Sequence, residues 1–154
     1  MDDEYYQTVV DKFIFTVKKG LLYAEDGGWV KVEKGFVRVG STDFFQKRIG
    51  DIIFVEFPKV GIKVNRSEEI AQLESIKAVI SITSPITGNI IEINQILDDS
   101  PEMINEEPYG RGWLVLIQSA DPKELSQLLS AEKYFELMIT KIADEVNSRK
   151  QESK

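Results

Sequence analysis

One lysine stands where its amine could be put to chemical use. Lys77 lies between the small residues Ser75 and Ala78, at a short polar break between two apolar segments rich in β-branched residues. Such segments favour strands, so the pattern predicts a hairpin with Lys77 at its tip. If this amine carries a covalently attached group, the rest of the chain need only hold the tip rigid and clear of the surface.

The residue types that are absent narrow the chemistry further. The 154-residue sequence contains no cysteine and no histidine. Disulfides, thiolate nucleophiles and thiolate metal sites are therefore excluded, and the commonest general base at neutral pH is missing. Only carboxylates, lysines and tyrosines remain for acid–base work. We expect a non-catalytic protein without a metal site, whose reactive group arrives from outside the chain.

Composition and charge indicate a globular protein with an acidic surface. Hydrophobic residues make up 42% and charged residues 29% of the sequence, and the net charge is −7. An acidic chain lacks the basic footprint that nucleic-acid binding requires. No apolar run approaches the roughly 20 residues that span a bilayer, and the acidic start of the chain is unlike a secretory signal. We expect a soluble cytoplasmic protein that binds neither nucleic acid nor membranes.

The elements that must position Lys77 are mostly strands. The alternating and β-branched segments predict strands over 22–24, 29–33, 36–39, 51–57, 71–75, 78–83, 89–93 and 112–117. The strand over 51–57 is apolar at nearly every position, which predicts that it is covered on both faces. A short helix should begin at a cap formed by Ser41 or Thr42 and end at Gly50.

The two ends of the chain have sequence patterns that differ from the strand patterns between them. Residues 3–18 combine helix-like apolar spacing with β-branched content, and we interpret them as a short helix or an irregular arm. The sequence Asp121–Glu124 has the form of a capping box that opens a helix over the following leucines. Helical spacing resumes at Ala131, and the polar tail from Asn147 to Lys154 is expected to fray.

Several motifs together carry a family resemblance. They are Val39-Gly40-Ser41-Thr42-Asp43, Gly50-Asp51-Ile52-Ile53-Phe54-Val55-Glu56, Glu74-Ser75-Ile76-Lys77-Ala78-Val79, Ser84-Pro85-Ile86-Thr87-Gly88 and Asn105-Glu106-Glu107-Pro108-Tyr109-Gly110-Arg111-Gly112-Trp113-Leu114. With these motifs in this order, the chain resembles the H-protein family of the glycine cleavage system. The resemblance implies a mainly β, lipoyl-domain-like half-barrel or sandwich with short peripheral helices and a C-terminal helix. It divides the chain into an N-terminal extension (1–20), the lipoyl domain (21–138) and a C-terminal helical extension with a frayed tail (139–154).

The resemblance also implies a cofactor and partners. Lys77 would carry lipoate, with Glu74, Ser75 and Ala78 forming the recognition site around it. A lipoate ligase or lipoyl transferase would attach the group. The carrier would then serve a glycine decarboxylase, an aminomethyltransferase and a dihydrolipoyl dehydrogenase, and the dithiolane would supply the sulfur that the chain lacks.

Five positions depart from the family pattern. Asp26, Gly27 and Gly28 stand where members usually carry histidine and glutamate before a tryptophan. Ser81 replaces a common aspartate, and Phe44 replaces tyrosine or histidine. In the family, polar residues around these positions line a cleft that holds the aminomethyl-loaded arm.

These departures leave three hypotheses about function open. The first is a lipoyl carrier of glycine cleavage. The second is a similar lipoate-binding protein with another cargo, such as a sulfur intermediate passed among heterodisulfide-reductase-like sulfur-oxidation proteins. The third is an interaction module that keeps the fold without lipoylation.

Overall fold

The chain folds into two packed antiparallel sheets, an N-terminal hairpin and a long C-terminal helix. The computed structural model describes residues 4–152, with side chains through residue 149. Its strands are β1 (Tyr5–Val10), β2 (Phe13–Lys18), β3 (Leu22–Tyr23), β4 (Gly28–Glu33), β5 (Phe36–Ser41), β6 (Ile52–Glu56), β7 (Lys63–Val64), β8 (Glu69–Ser75), β9 (Val79–Thr83), β10 (Gly88–Ile93), β11 (Val115–Ser119) and β12 (Leu129–Ser130). Its helices are α1 (Asp43–Ile49), α2 (Ile96–Asp99), α3 (Met103–Glu106), α4 (Ala131–Glu152) and a 3-10 helix at Pro122–Gln127.

The main core lies between the two larger sheets. One sheet has the strand order β12-β3-β4-β5-β11-β10-β7 and the other has the order β6-β8-β9. Buried side chains of both sheets form one cluster, with Val30, Val39 and Ile117 from the first sheet. Leu73 and Ile82 come from the second sheet. This arrangement confirms the predicted mainly β half-barrel sandwich with peripheral helices and a C-terminal helix.

Helix α1 begins and ends where the sequence predicts. The Thr42 side chain caps it by accepting a hydrogen bond from the backbone N–H of Phe45 at 3.2 Å. Gly50 ends the helix with a φ of 83°, a left-handed conformation that glycine adopts without strain. The orientation of α1 matters for the site because its C-terminal end lies beneath Lys77.

The interpretation of the N-terminal segment as a short helix or irregular arm is wrong, because β1 and β2 form a hairpin. Val10 pairs with Phe13, so Asp11 and Lys12 make a two-residue turn. Asp11 has a φ of 56°, and aspartate tolerates this region better than most residues. The β-branched and aromatic content of β2 therefore outweighs the helical spacing.

A buried carboxylate joins this hairpin to α1. Asp43 is only 7% exposed. One of its oxygens accepts hydrogen bonds from the Thr16 backbone N–H and the Lys47 ammonium, both at 2.9 Å. The other oxygen accepts from the Gln46 side-chain amide at 3.0 Å. The hairpin is thereby fixed to the helix that supports the tip.

Replacing Asp43 with alanine should lower the free energy of unfolding by about 2 kcal/mol, because it leaves the Thr16 N–H without its acceptor. Urea unfolding measures this loss. The control is Asp144→Ala at an exposed position of α4, which should change stability by less than about 0.5 kcal/mol. Equal effects of the two substitutions would contradict the anchoring role.

A second core packs α4 against the hairpin and β3. The rings of Tyr23 and Tyr134 stack with centroids 4.7 Å apart, and the Tyr134 hydroxyl lies 3.0 Å from the Thr42 hydroxyl. The Tyr109 hydroxyl donates a hydrogen bond to the Thr16 carbonyl at 2.7 Å. Helix α4 continues without a break across residues 138 and 139, where the resemblance separates the lipoyl domain from the C-terminal extension. Its backbone is helical through Glu152.

These tyrosines should make stability depend on alkaline pH. Burial raises the pKa of Tyr134 from 10.0 to about 12, and it raises the pKa of Tyr23 and of Tyr109 as well. Between pH 10 and 12 the unfolded chain loses tyrosine protons that the folded chain keeps, so unfolding becomes easier as the pH rises. We expect each tyrosine to contribute about 1.4 kcal/mol per pH unit in this window. In denaturant titrations, Tyr134→Phe should reduce the pH dependence of the unfolding free energy by the contribution of one tyrosine. An unchanged pH dependence would contradict the assignment.

Two further predictions need correction near the C-terminal half. The Asp121 side chain caps the Lys123 N–H at 3.0 Å, but Glu124 does not complete a capping box. Its carboxylate accepts hydrogen bonds from the Thr87 N–H and hydroxyl at 2.9 and 3.0 Å, and the segment stays a 3-10 helix. The strand predicted over 112–117 begins only at Val115.

Among the helices of residues 4–152, none has the length and apolarity that crossing a membrane demands.

Candidate functional site

Lys77 lies on a tight turn that closes the β8–β9 hairpin. The strands stay paired up to Glu74 and Val79. The Ser75 N–H donates to the Ala78 carbonyl at 2.9 Å, and the Ser75 hydroxyl accepts from the Ala78 N–H at 3.2 Å. Ser75 is 5% exposed, so its side chain holds the turn from inside. The turn leaves Lys77 at the tip, as the sequence predicts.

The lysine side chain is exposed and lies over the end of α1. A Cβ placed on Gly50 would be 3.2 Å from the Lys77 Cε and 3.9 Å from its Nζ. Glycine therefore leaves room for the lysine to cross this surface. Within residues 4–149, no ion pair involves Lys77, so its amine is free of a carboxylate partner there.

Asn105 holds the surface beneath the lysine, a role that sequence reasoning missed. Its side-chain oxygen accepts from the Ile52 N–H at 2.9 Å. Its amide donates to the Gly50 carbonyl and to the Gln46 side-chain oxygen, both at 2.9 Å. One side chain thus joins α1, β6 and α3 under the tip. The signal was available, since Asn105 opens one of the motifs quoted above.

Apolar side chains surround the tip on the solvent side. Ile76 is 86% exposed and Val79 is 62% exposed. Ile53 and Phe54 of the neighbouring strand β6 are each 53% exposed. The prediction that this strand is covered on both faces is therefore wrong, because these two side chains remain more than half exposed. Contiguous exposed apolar groups are typical of a surface that binds another molecule.

Two of the altered cleft positions lie at β9. The Asp26 carboxylate accepts a hydrogen bond from the Thr83 hydroxyl at 2.6 Å. Ser81 shares the outer face of β9 with Thr83, since side chains alternate along a strand. Its hydroxyl donates to Glu69 at 2.5 Å. Hydrogen bonds to Ser81 and to Gln72 lower the pKa of this carboxyl group.

The other altered positions fall on both sides of α1. Gly27 is buried, and a Cβ there would lie 2.9 Å from the Phe45 ring. Phe45 thus occupies the space beside Gly27, and Gly28 is buried next to it. Phe44 instead packs with Phe15 of the hairpin, with ring centroids 5.7 Å apart. The structure therefore does not bring Phe44 together with the other altered positions.

The described residues include no cluster of three or more carboxylates arranged to hold a metal ion. The site accordingly consists of one exposed amine, a rigid turn and an apolar surround. Such an arrangement can present a group that is covalently attached to the amine.

Comparison with known proteins identifies the family. The model of the glycine cleavage H-protein family matches residues 21–141. A glycine cleavage system H protein of Bacillus pumilus is 45% identical over 119 residues, which cover 77% of this chain and 94% of the relative. A probable glycine cleavage system H protein of Aeropyrum pernix is also 45% identical, over 79% of this chain and 85% of the relative.

A solved structure agrees with these matches. The crystal structure of a glycine cleavage system H protein from Mycobacterium marinum superimposes with a TM-score of 0.71. It is 33% identical in sequence and covers 77% of this chain and 95% of its own. The shared fold, the length of the match and the identity of these relatives agree, and the chain belongs to the glycine cleavage H-protein family.

Proposed function

We propose that Lys77 carries a lipoyl group in amide linkage and that the protein is the lipoyl carrier of glycine cleavage. The observation that carries this proposal is an exposed lysine at the tip of a closed hairpin turn, in a chain without cysteine or histidine. Members of this family are lipoyl carriers in glycine decarboxylation. No observation on this chain favours a sulfur-oxidation cargo.

The attachment chemistry requires only the lysine amine. In its neutral form, the Lys77 amine attacks an activated acyl carbon, forms the N–C bond, loses a proton and displaces the activating group. A lipoate ligase or lipoyl transferase would supply the activated acyl group. The resulting arm is about 14 Å long from summed bond lengths. When attached, the group supplies the dithiolane sulfur that accepts the aminomethyl unit.

Recognition by the attaching enzyme should depend on the turn and its surround. Ser75 and Ala78 fix the shape of the turn, and the half-buried Glu74 directly precedes it near the end of β8. The exposed Ile76 and Val79 side chains add apolar contact area. Exposed apolar side chains grouped in this way favour contact with a partner protein.

The proposed partners are a glycine decarboxylase, an aminomethyltransferase and a dihydrolipoyl dehydrogenase, with a cytoplasmic location as part of the same proposal. The chain itself would remain a carrier without catalytic residues. Its net charge of −7 favours encounters with partners that present basic patches.

The cargo can be tested by glycine-dependent exchange of bicarbonate with glycine decarboxylase. Fully lipoylated protein should support the exchange, and the unmodified protein should not. If fully lipoylated protein fails with a decarboxylase that works with another H protein, the glycine-cleavage assignment is wrong. Lipoylation itself would then still stand, because intact mass reports it separately.

A further inference from the structure

Lys77 borders a groove that residues outside the family match largely build. The groove encloses about 420 Å³, within the range of ligand pockets in proteins. Its walls are the N-terminal hairpin, α1 and the last turns of α4, and the Lys77 side chain lines one side. Eight of its twelve lining residues lie before residue 21 or after residue 141.

At least one relative has little chain beyond the matched region. A glycine cleavage system H protein of Bacillus subtilis is matched over 96% of its length by only 79% of this chain. The hairpin and the end of α4 lie outside residues 21–141, which match the family model, and we call them the added segments. The added segments pack so that a groove opens next to the lysine instead of being filled.

The floor of the groove is apolar and aromatic. Phe15, Phe44 and Ile142 form its buried part. Phe13 lines the same groove but is 59% exposed, and Val146 is half-buried. A phenylalanine left this exposed at the edge of an aromatic cluster is explained if another apolar group covers it. Sulfur atoms make favourable contacts with aromatic rings, so a dithiolane suits this floor.

The walls are held in place by charged side chains. The Arg48 guanidinium pairs with Glu145 of α4 at 2.8 Å. Lys47 pairs with Asp43 at 2.9 Å and also donates to the Ile14 carbonyl of the hairpin. Both added segments are thus tied to α1, which makes the groove a built feature of the fold.

The position beside Gly27 is less suited to an arm. The Phe45 ring fills the space next to Gly27, as described above. Phe44 and Phe45 belong to different core clusters and point to different sides of α1. The open space beside Lys77, with its apolar floor, therefore lies on the Phe44 side, where the added segments are.

We infer that this groove is the resting site of the lipoyl arm of Lys77, with the two added segments of this chain providing its walls. This inference rests on the proposed lipoylation. An arm of about 14 Å is long enough to lie along a groove that its own lysine borders. In the docked state the sulfur atoms would be shielded from small reagents in solution.

The first test compares NMR spectra of the unmodified and the fully lipoylated full-length chain. Methyl signals of Val10, Ile142 and Val146 should shift on lipoylation, whereas those of Val9 should not. Shifts confined to the hairpin tip would overturn the resting site and leave lipoylation intact. If intact mass shows no lipoyl adduct on the protein, both the arm and its resting site are wrong.

The second test measures how fast iodoacetamide alkylates the reduced arm, each step forming an S–C bond and releasing iodide and a proton. Every thiol belongs to the arm, because the chain has no cysteine. Phe13→Ser should speed alkylation by up to about tenfold if the arm is docked nine-tenths of the time. The matched control is Val9→Ser, since Val9 is 60% exposed on the same hairpin but outside the groove. Equal rates in both variants would overturn the inference.

Discussion

Replacing Lys77 with arginine is expected to abolish carrier activity completely while leaving the fold intact. A guanidinium stays protonated at any accessible pH and cannot be acylated as an amine can. The Lys77 side chain is exposed and forms no ion pair within the described residues, so little stability depends on it. Glycine-dependent bicarbonate exchange after coexpression with a lipoate ligase measures the loss.

The control for this substitution is Lys31→Arg on β4, another exposed lysine. It should retain full activity, and both variants should melt within about 2 °C of the parent, since exposed changes rarely exceed 0.5 kcal/mol. Retained activity in the Lys77 variant would mean that another residue carries the group.

Gly88→Ala is expected to cause the largest loss of stability among the substitutions proposed. Gly88 is buried between β7 and β11, where it pairs with Val64 and Ser119. An added Cβ would overlap the Gln118 carbonyl oxygen and lie 2.7 Å from the Ile117 Cγ2. Backbone cannot move aside as a side chain can, so we expect a loss of about 3 kcal/mol. The melting temperature should fall by roughly 10 °C.

Gly110→Ala is the matched control, because the nearest atom to its added Cβ is a Glu107 carboxylate oxygen at 3.6 Å. That glycine is exposed, and the substitution should change stability by less than about 0.5 kcal/mol. Comparable losses in the two variants would show that helix and turn propensity, and not the space available for a Cβ, determines the loss of stability at these positions. Thermal unfolding followed by circular dichroism separates the two outcomes.

The strands and the tip were predictable because their signals are local. The break around Lys77, the cap at Thr42 and the ending of α1 at Gly50 each depend on residues within a few positions of one another. Turn and cap chemistry of this kind acts at short range. The hairpin that carries the lysine could therefore be predicted without knowing what packs beneath it.

The errors share a different cause. The exposure of Phe54, the hydrogen bonds from Thr87 to Glu124 and the hairpin turn at Asp11 all depend on tertiary neighbours. An apolar strand has the same sequence pattern whether a second layer of the fold or a partner protein covers it. The turn at Asp11 contains no glycine, so the strongest hairpin signal was missing.

The groove beside Lys77 could not be predicted either. Its lining combines Phe13, Phe44 and Val146, which are far apart in the sequence and belong to three elements. The family pattern covers only the middle one of these positions. Spatial neighbours that a family pattern does not contain become visible only once the chain is folded.

Mass spectrometry of the protein coexpressed with a lipoate ligase tests the central claim most directly. Intact mass should show one lipoyl adduct per chain, and fragmentation should place it on the peptide that contains Lys77. No adduct on the wild-type chain, or an adduct on a different lysine, would contradict the account.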